Sequence, residues 1–273
     1  MKRIFCLSLV LGFLFSLSVP VSAAVESIGQ VMMLQGRARA VAQDGSEREL
    51  AVDAPVFNQD RIMTEADSRL QIRFEDDTLL SQGEKSEMVI DDYVYSPGEA
   101  ESRSFFKLVG GVFRAITGRI TDMNPENFKV RTGKAVMGIR GCDILFTITR
   151  VREDIYVLDL PEGHSIVIES RFYPMGWGQG SSELVTMTLD NSGDGVVIMD
   201  SGEVIQTQFT PDQIRAVIQM IIDDDDSDDT EEERTAKEDL KETLEALLGD
   251  MDAQDQTDVI DENKPLPDSD YQV

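Results

Sequence analysis

The chain has 273 residues, 52 acidic side chains against 25 basic ones, a formal net charge of −27 and two cysteines. Such an acidic chain repels nucleic acid and anionic membrane, and attracts cations or basic partners. It is long enough to bury a substantial core, and a single cysteine, Cys142, follows the leader described next, so the fold is expected to rest on packing rather than on disulfides.

Residues 1–23 read as a secretory signal peptide: Lys2 and Arg3, an apolar stretch from Ile4 to about Ser18, then Val21-Ser22-Ala23 as a small-residue cleavage site. No cysteine directly follows that site, and no later apolar run approaches membrane-spanning length. The expectation is a secreted protein, periplasmic or associated with the cell surface, with no transmembrane segment after cleavage.

Residues 25–209 alternate short apolar runs with turn chemistry. GQVMML from Gly29, LQIRF from Leu70, IYVLDL from Ile155, SIVIES from Ser165, LVTMTL from Leu184 and VVIMD from Val196 are predicted strands. Asp44-Gly45, Asp76-Asp77, Pro97-Gly98, Asn124-Pro125 and Asn191-Ser192-Gly193-Asp194-Gly195 punctuate them. Turns recurring at about ten-residue intervals with little helical periodicity predict an all-β domain: a sandwich, a barrel or a wound sheet of β-solenoid type.

Helical pattern begins at Thr210, where Thr210-Pro211-Asp212-Gln213 forms a capping box and Ile214, Val217, Ile218 and Ile221 share a stripe, predicting an amphipathic helix over 210–222. The acidic run 223–229 reads as a solvated linker. A second amphipathic helix is expected over 230–249, with Leu240, Leu244 and Leu247 on one face, and residues 250–273 are expected to be a disordered acidic tail. From Pro211 onward there are 22 acids against 5 bases.

Four blocks across roughly residues 27–170 bear on family. Asp60-Arg61-Ile62-Met63-Thr64 comes first, with Gln59 before it. Phe74-Glu75-Asp76-Asp77-Thr78-Leu79 and Leu108-Val109-Gly110-Gly111-Val112-Phe113-Arg114 follow. The last is Thr132-Gly133-Lys134-Ala135-Val136-Met137-Gly138-Ile139-Arg140-Gly141-Cys142-Asp143-Ile144-Leu145-Phe146. In order and spacing they resemble the FecR protein domain, whose signature is roughly T-P-x-A-x-x-G-V-R-G-T-x-F. Gln59 and Asp77 stand where that family usually has glycine, Gly133 where it has proline and Cys142 where it has threonine. The resemblance implies an extracytoplasmic all-β module.

Gly138 and Gly141 bracket Arg140, a spacing that suggests backbone conformations or close approaches a Cβ would forbid. Arg140 is expected to bridge neighbouring strands, with anion recognition as the competing role. Cys142 and the only histidine, His164, could form a nucleophile and base, but the expected role of Gly138, Arg140, Gly141 and Cys142 is structural. Asp190 to Gly195 opens like a calcium loop yet lacks the twelfth-position carboxylate, since Ser201 stands there, so a hairpin turn is expected instead. Between Lys107 and Arg140 the charge inverts, with seven bases (Lys107, Arg114, Arg119, Lys129, Arg131, Lys134 and Arg140) against Asp122 and Glu126. These are either scattered surface charges or a cationic face for an anionic glycan, an envelope protein or the chain's own acidic tail.

Neither cofactor nor metal is expected. The reading is a non-enzymatic binding or scaffolding protein of the bacterial cell envelope. FecR-type regulators relay envelope signals to a sigma factor, and a sensing component is the related alternative; with only Met1 to Arg3 before the apolar stretch, direct sigma-factor binding is not expected. A hydrolase using paired carboxylates on the β scaffold is the competing class.

Overall fold

The computed structural model describes residues 26–172 and 183–221. The leader at 1–23, the linker at 223–229, the helix expected over 230–249 and the tail at 250–273 lie outside the described residues. Within them, 17 strands form two layers that share one long strand. Sheet A runs in the order β4 (Pro55–Phe57), β1 (Ser27–Gln35), β6 (Arg69–Phe74), β7 (Leu79–Gln82), β9 (Arg103–Ile116), β12 (Asp143–Ile148), β13 (Arg152–Asp159), β16 (Asp194–Met199) and β17 (Val204–Gln208). Sheet B runs β3 (Glu47–Glu49), β2 (Ala38–Val41), β5 (Arg61–Thr64), β8 (Glu87–Val94), β9 again, β10 (Phe128–Arg131), β11 (Ala135–Ile139), β14 (Ile166–Phe172) and β15 (Glu183–Leu189). The chain therefore winds between layers in short antiparallel steps, an all-β sandwich with wound connectivity.

Strand β9 joins the layers at a glycine. Its first half pairs with β8 and β10 in sheet B, and from Gly111 onward it pairs with β7 and β12 in sheet A. Gly111 has φ of 114°, and a Cβ there would stand 2.0 Å from Ser86 Oγ. Only glycine satisfies both the backbone angle and the contact. Among the described residues the one parallel pairing, β9 with β10, follows a crossover through helix α1 (Arg119–Met123) and a single 3₁₀ turn (Pro125–Asn127).

Inward-facing residues of both layers meet in one core. Phe106 and Leu108 from the sheet B half of β9 and Phe113 and Ala115 from its sheet A half all enter it, beside Ile62, Phe74, Ile90, Phe128, Met137 and Phe146. The rings of Phe74, Phe106 and Phe128 meet in tilted pairs at centroid distances of 5.0 and 5.7 Å, which adds specific aromatic contact to apolar burial.

Sheet A is buried on its outer face too. Leu145, Tyr156, Leu158 and Val197 point away from the main core and are covered by Phe209 and by Ile214, Val217, Ile218 and Ile221 of helix α2 (Pro211–Gln219) and its C-terminal turn. Strands sandwiched this way read as continuous apolar runs, as ILF, IYVL and VVI do here. Thr210 and Gln213 form the reciprocal capping box at the start of α2, and Arg69 donates to the carbonyls of Gln219 and Met220 at 3.3 Å at its end. The turn at Asp190–Gly195 departs from the hairpin expected from sequence. It carries the chain from β15 in sheet B to β16 in sheet A, with Asp194 buried and accepting from the Asn191 backbone at 3.2 Å.

Candidate functional site

Two of the four sequence blocks hold turns together from inside. Asp60, 1% exposed, accepts from Arg48 Nη1 at 3.0 Å and Nη2 at 2.5 Å and from the Phe57 backbone at 2.7 Å. Asp76, fully buried, accepts from the Tyr93 hydroxyl at 2.9 Å and the Thr78 hydroxyl at 2.8 Å, while its carbonyl takes the Arg119 backbone N–H. Burial and the adjacent carboxylate push the Tyr93 phenol far above its ordinary range. Gln59 and Asp77, which replace the glycines usual in the resembled pattern, have φ of 68° and 66°. The backbone keeps the left-handed turn that glycine would adopt without strain. The third block contains the Gly111 pivot.

The signature occupies β10, β11 and β12, and its two glycines behave differently. Gly141 has φ of 65°, and a Cβ would come within 2.9 Å of the His164 ring, so glycine is required there. Gly138 is otherwise: its φ is not in the left-handed region, and a Cβ on it would meet nothing within 4 Å. The close approach expected at Gly138 does not occur. Its missing side chain instead leaves a dip in the outer face of sheet B.

That dip lies between strands whose registers are fixed. Gly138 pairs with Lys129 on β10 and Val167 on β14, and Lys129 pairs in turn with Phe105 on β9. One step along, Val89, Lys107, Arg131, Val136 and Glu169 form a second outward row across β8, β9, β10, β11 and β14. Around Gly138 the depression has a volume of about 270 Å³ and is rimmed by Glu126, Lys129, Val136, Arg140, Val167 and Glu169. No described helix packs on this face.

The seven bases between Lys107 and Arg140 divide accordingly. Lys107, Lys129 and Arg131 share the outer face of sheet B, with Arg140 at its margin; Arg131 pairs with Asp91 at 2.5 Å and lies 5.1 Å over the Phe105 ring. Arg140 reaches Glu126 at 3.5 Å and is 42% exposed, a weak surface pair rather than a bridge between strands. Arg119 pairs with Asp77 at 2.6 Å, and Lys134 donates to the Arg150 carbonyl at 3.0 Å and lies 4.0 Å from Glu153. Arg114 does not belong to any cationic face. It is 2% exposed and forks onto both oxygens of Asp143, a buried ion pair joining β9 to β12. Its place in sequence could not reveal this, because it follows Phe113 on the outward side of a strand whose outer face is covered.

Cys142 is buried, and burial with Asp143 and Asp159 nearby pushes its thiol well above the ordinary range. His164 Nδ1 engages the Gly141 carbonyl at 3.1 Å. Burial thus disfavours the thiolate that a nucleophile needs, and His164 is engaged with the Gly141 carbonyl. Both residues line a shallow depression of about 480 Å³ with Thr117, Asp143 and Asp159. Among the described residues, no three His, Cys, Asp or Glu side chains gather in a metal-binding cluster.

Glu153 is the other unusual carboxylate. It is 1% exposed on β13 and accepts from the Thr132 hydroxyl at 2.5 Å, and burial raises its pKa against the opposing hydrogen bonds of Thr132, Gly133 and Lys134. Gly133, in place of the usual proline of the resembled pattern, supplies one of those N–H groups. Sequence reasoning missed this contact, and also missed Phe105, Val136 and Val167, because strand alternation alone does not tell which outer face a helix will cover.

Residues 60–163 match the family model described as FecR protein. Two crystal structures described as a putative anti-sigma factor from Parabacteroides distasonis are 15% identical over 58% of this chain, with a TM-score of 0.42. The alignment spans 64% of those chains, somewhat less than two thirds of their length. A structure described as a cell surface anchoring domain is 27% identical over 23% of this chain and 82% of its own, with a TM-score of 0.22. No curated protein matches. The matched span begins at β5 and ends in the turn before β14, and its strands are the five contiguous central ones of each sheet, so the FecR match covers the centre of the sandwich and the flanking strands extend it on both sides.

Proposed function

We propose that this protein is an extracytoplasmic, non-enzymatic recognition module of the bacterial cell envelope, of the FecR signalling class, whose partner docks on the outer face of sheet B. One observation carries the reading: the outer face of sheet A over β12, β13 and β16 is covered by α2, whereas that of sheet B presents Phe105, Val136 and Val167 beside Lys107, Lys129 and Arg140 around the Gly138 dip. Apolar groups interleaved with cations suit an envelope protein or an anionic glycan, which would supply carboxylates or phosphates to the rim. The leader read from residues 1–23 supports the location.

The buried carboxylates support a non-enzymatic role. Asp60, Asp76, Asp143 and Glu153 are each engaged by turn N–H groups, hydroxyls or arginine, which leaves them no geometry for acid and base work on a substrate. The test is recovery of envelope proteins and soluble anionic glycans by immobilised protein, comparing the parent with Gly138→Val and Lys129→Glu. A Cβ at position 138 meets nothing within 4 Å, so Gly138→Val is expected to fill the dip with little disturbance of the fold. Loss of the recovered species in both variants, with unchanged melting, is expected; equal recovery from parent and variants would overturn the reading.

A further inference from the structure

The two ends of the sandwich are built differently. At one end the outermost strands are β3 and β4, of three residues each. β3 reads Glu-Arg-Glu and β4 opens on Pro55, while β1 next to it is broken by a bulge between Val31 and Met33. Short length, charge, proline and bulges are the usual means by which an exposed strand is kept from pairing with another chain. Apart from Glu183 at the start of β15, the opposite end has none of these. There the outermost strands are β15, seven residues long, and β17, five residues long. Leu184–Leu189 and Val204–Gln208 contain no charged residue and no proline. Among the described residues nothing pairs with the free side of either strand. Leu184 and Ile205 are 53% and 42% exposed.

We propose that this end is a homodimer interface, in which β15 pairs antiparallel with β15 of a second copy and the β17 edges of the two copies come together beside it. An incoming strand must satisfy a row of main-chain N–H and C=O groups and offer uncharged, β-branched or apolar side chains. A second β15 meets both demands, and antiparallel pairing of identical strands about a twofold axis is self-complementary. Pairing centred on Thr186 sets Thr186 opposite Thr186 on the outward side, and Val185 opposite Met187 on the inward side, by the alternation that β14 fixes. The two sheets would then run through both copies, and neither unguarded edge would remain. The chain's net charge of −27 opposes association, so the dimer strengthens as salt screens it.

Sedimentation equilibrium of the full-length protein and of Thr186→Lys tests this. The lysine sits at an exposed position that a monomer tolerates, and it sets like charges against each other across the twofold axis. The parent is expected to dimerise at tens of micromolar, more tightly at about 0.5 M than at about 0.05 M salt, where the Debye length is longer. Thr186→Lys is expected to weaken the dimer at least tenfold while melting as the parent does. Thr188→Lys, on the same exposed side, serves if the first variant fails to fold. A parent that stays monomeric at about 100 micromolar in high salt, or a folded lysine variant that dimerises as the parent does, would overturn the proposal.

Discussion

The outer faces of the two sheets start from the same alternating strands and end in opposite conditions. On sheet A, Leu145, Tyr156, Leu158 and Val197 lie under α2; on sheet B, Val136 and Val167 stand beside Lys129 and Glu169 with no described helix above them. What differs is the side chain set at outward positions of the C-terminal strands, aliphatic and aromatic on one layer, mixed with charge on the other. A largely apolar face calls for a cover, and a face that interleaves exposed charge is stable in water and free to recognise something.

The contrast depends on β9 reaching both layers, so the largest effect is expected where it crosses. Gly111→Ala should destabilise by about 3–5 kcal/mol in urea denaturation, because it forces a Cβ against Ser86 at a φ of 114°. A loss under about 1 kcal/mol would show that the pivot bends easily and that the layers are not locked through it.

Next comes the cover itself. Ile214→Ala, at a position with no exposure, should cost about 2–4 kcal/mol, whereas Val136→Ala on the open face should change stability by less than about 0.5 kcal/mol. Equal costs at the two sites would erase the distinction between the sealed and the open face.

Much of this was legible in the chain. Strand runs, the capping box at Thr210 and the four ordered blocks pointed to an all-β FecR-type domain, because pattern and turn chemistry are local. The pairing partners of buried charges were not. Nothing near Arg114 in sequence names Asp143, which lies 29 positions away on a neighbouring strand. Nor does Thr132 announce Glu153, 21 positions on and in the other layer. The basic stretch was visible as composition, yet its division into a surface group, local ion pairs and one buried pair depends on which outer face is covered.

Glu153 gives the comparison a pH axis, since it links a sheet A strand to a sheet B turn. Its pKa is raised in the fold by burial, so the folded state holds the proton more tightly than the unfolded chain. The stability it contributes is fully present below the ordinary glutamate pKa and is lost as pH rises through the raised value. Glu153→Gln should therefore gain on the parent as pH increases from about 4 to 7 in chemical denaturation. A difference that is flat or shrinks over that range would mean the hydrogen bonds from Thr132 and its turn outweigh the desolvation of the carboxylate.

A smaller gain is expected at Gln59, which is exposed and holds a φ of 68°. Gln59→Gly should stabilise by about 0.5–1 kcal/mol, the left-handed strain relieved less the added entropy of the unfolded chain. Thermal melting checks it, and a loss would show that the glutamine side chain makes a compensating contact.

The smallest change is the most telling for the open face. Gly138 has neither a left-handed angle nor a neighbour within reach of a Cβ, so the fold gives no reason for glycine in the middle of β11. A glycine within a strand costs roughly 0.5–1 kcal/mol relative to a residue with a side chain. Gly138→Val should therefore melt at the same temperature as the parent or up to a few degrees higher, the reverse of Gly111→Ala. If stability rises while binding at the sheet B face is lost, the glycine is kept for what the dip admits. If stability falls, position 138 serves the fold after all, and the open face loses the feature that most sets it apart from its sealed counterpart.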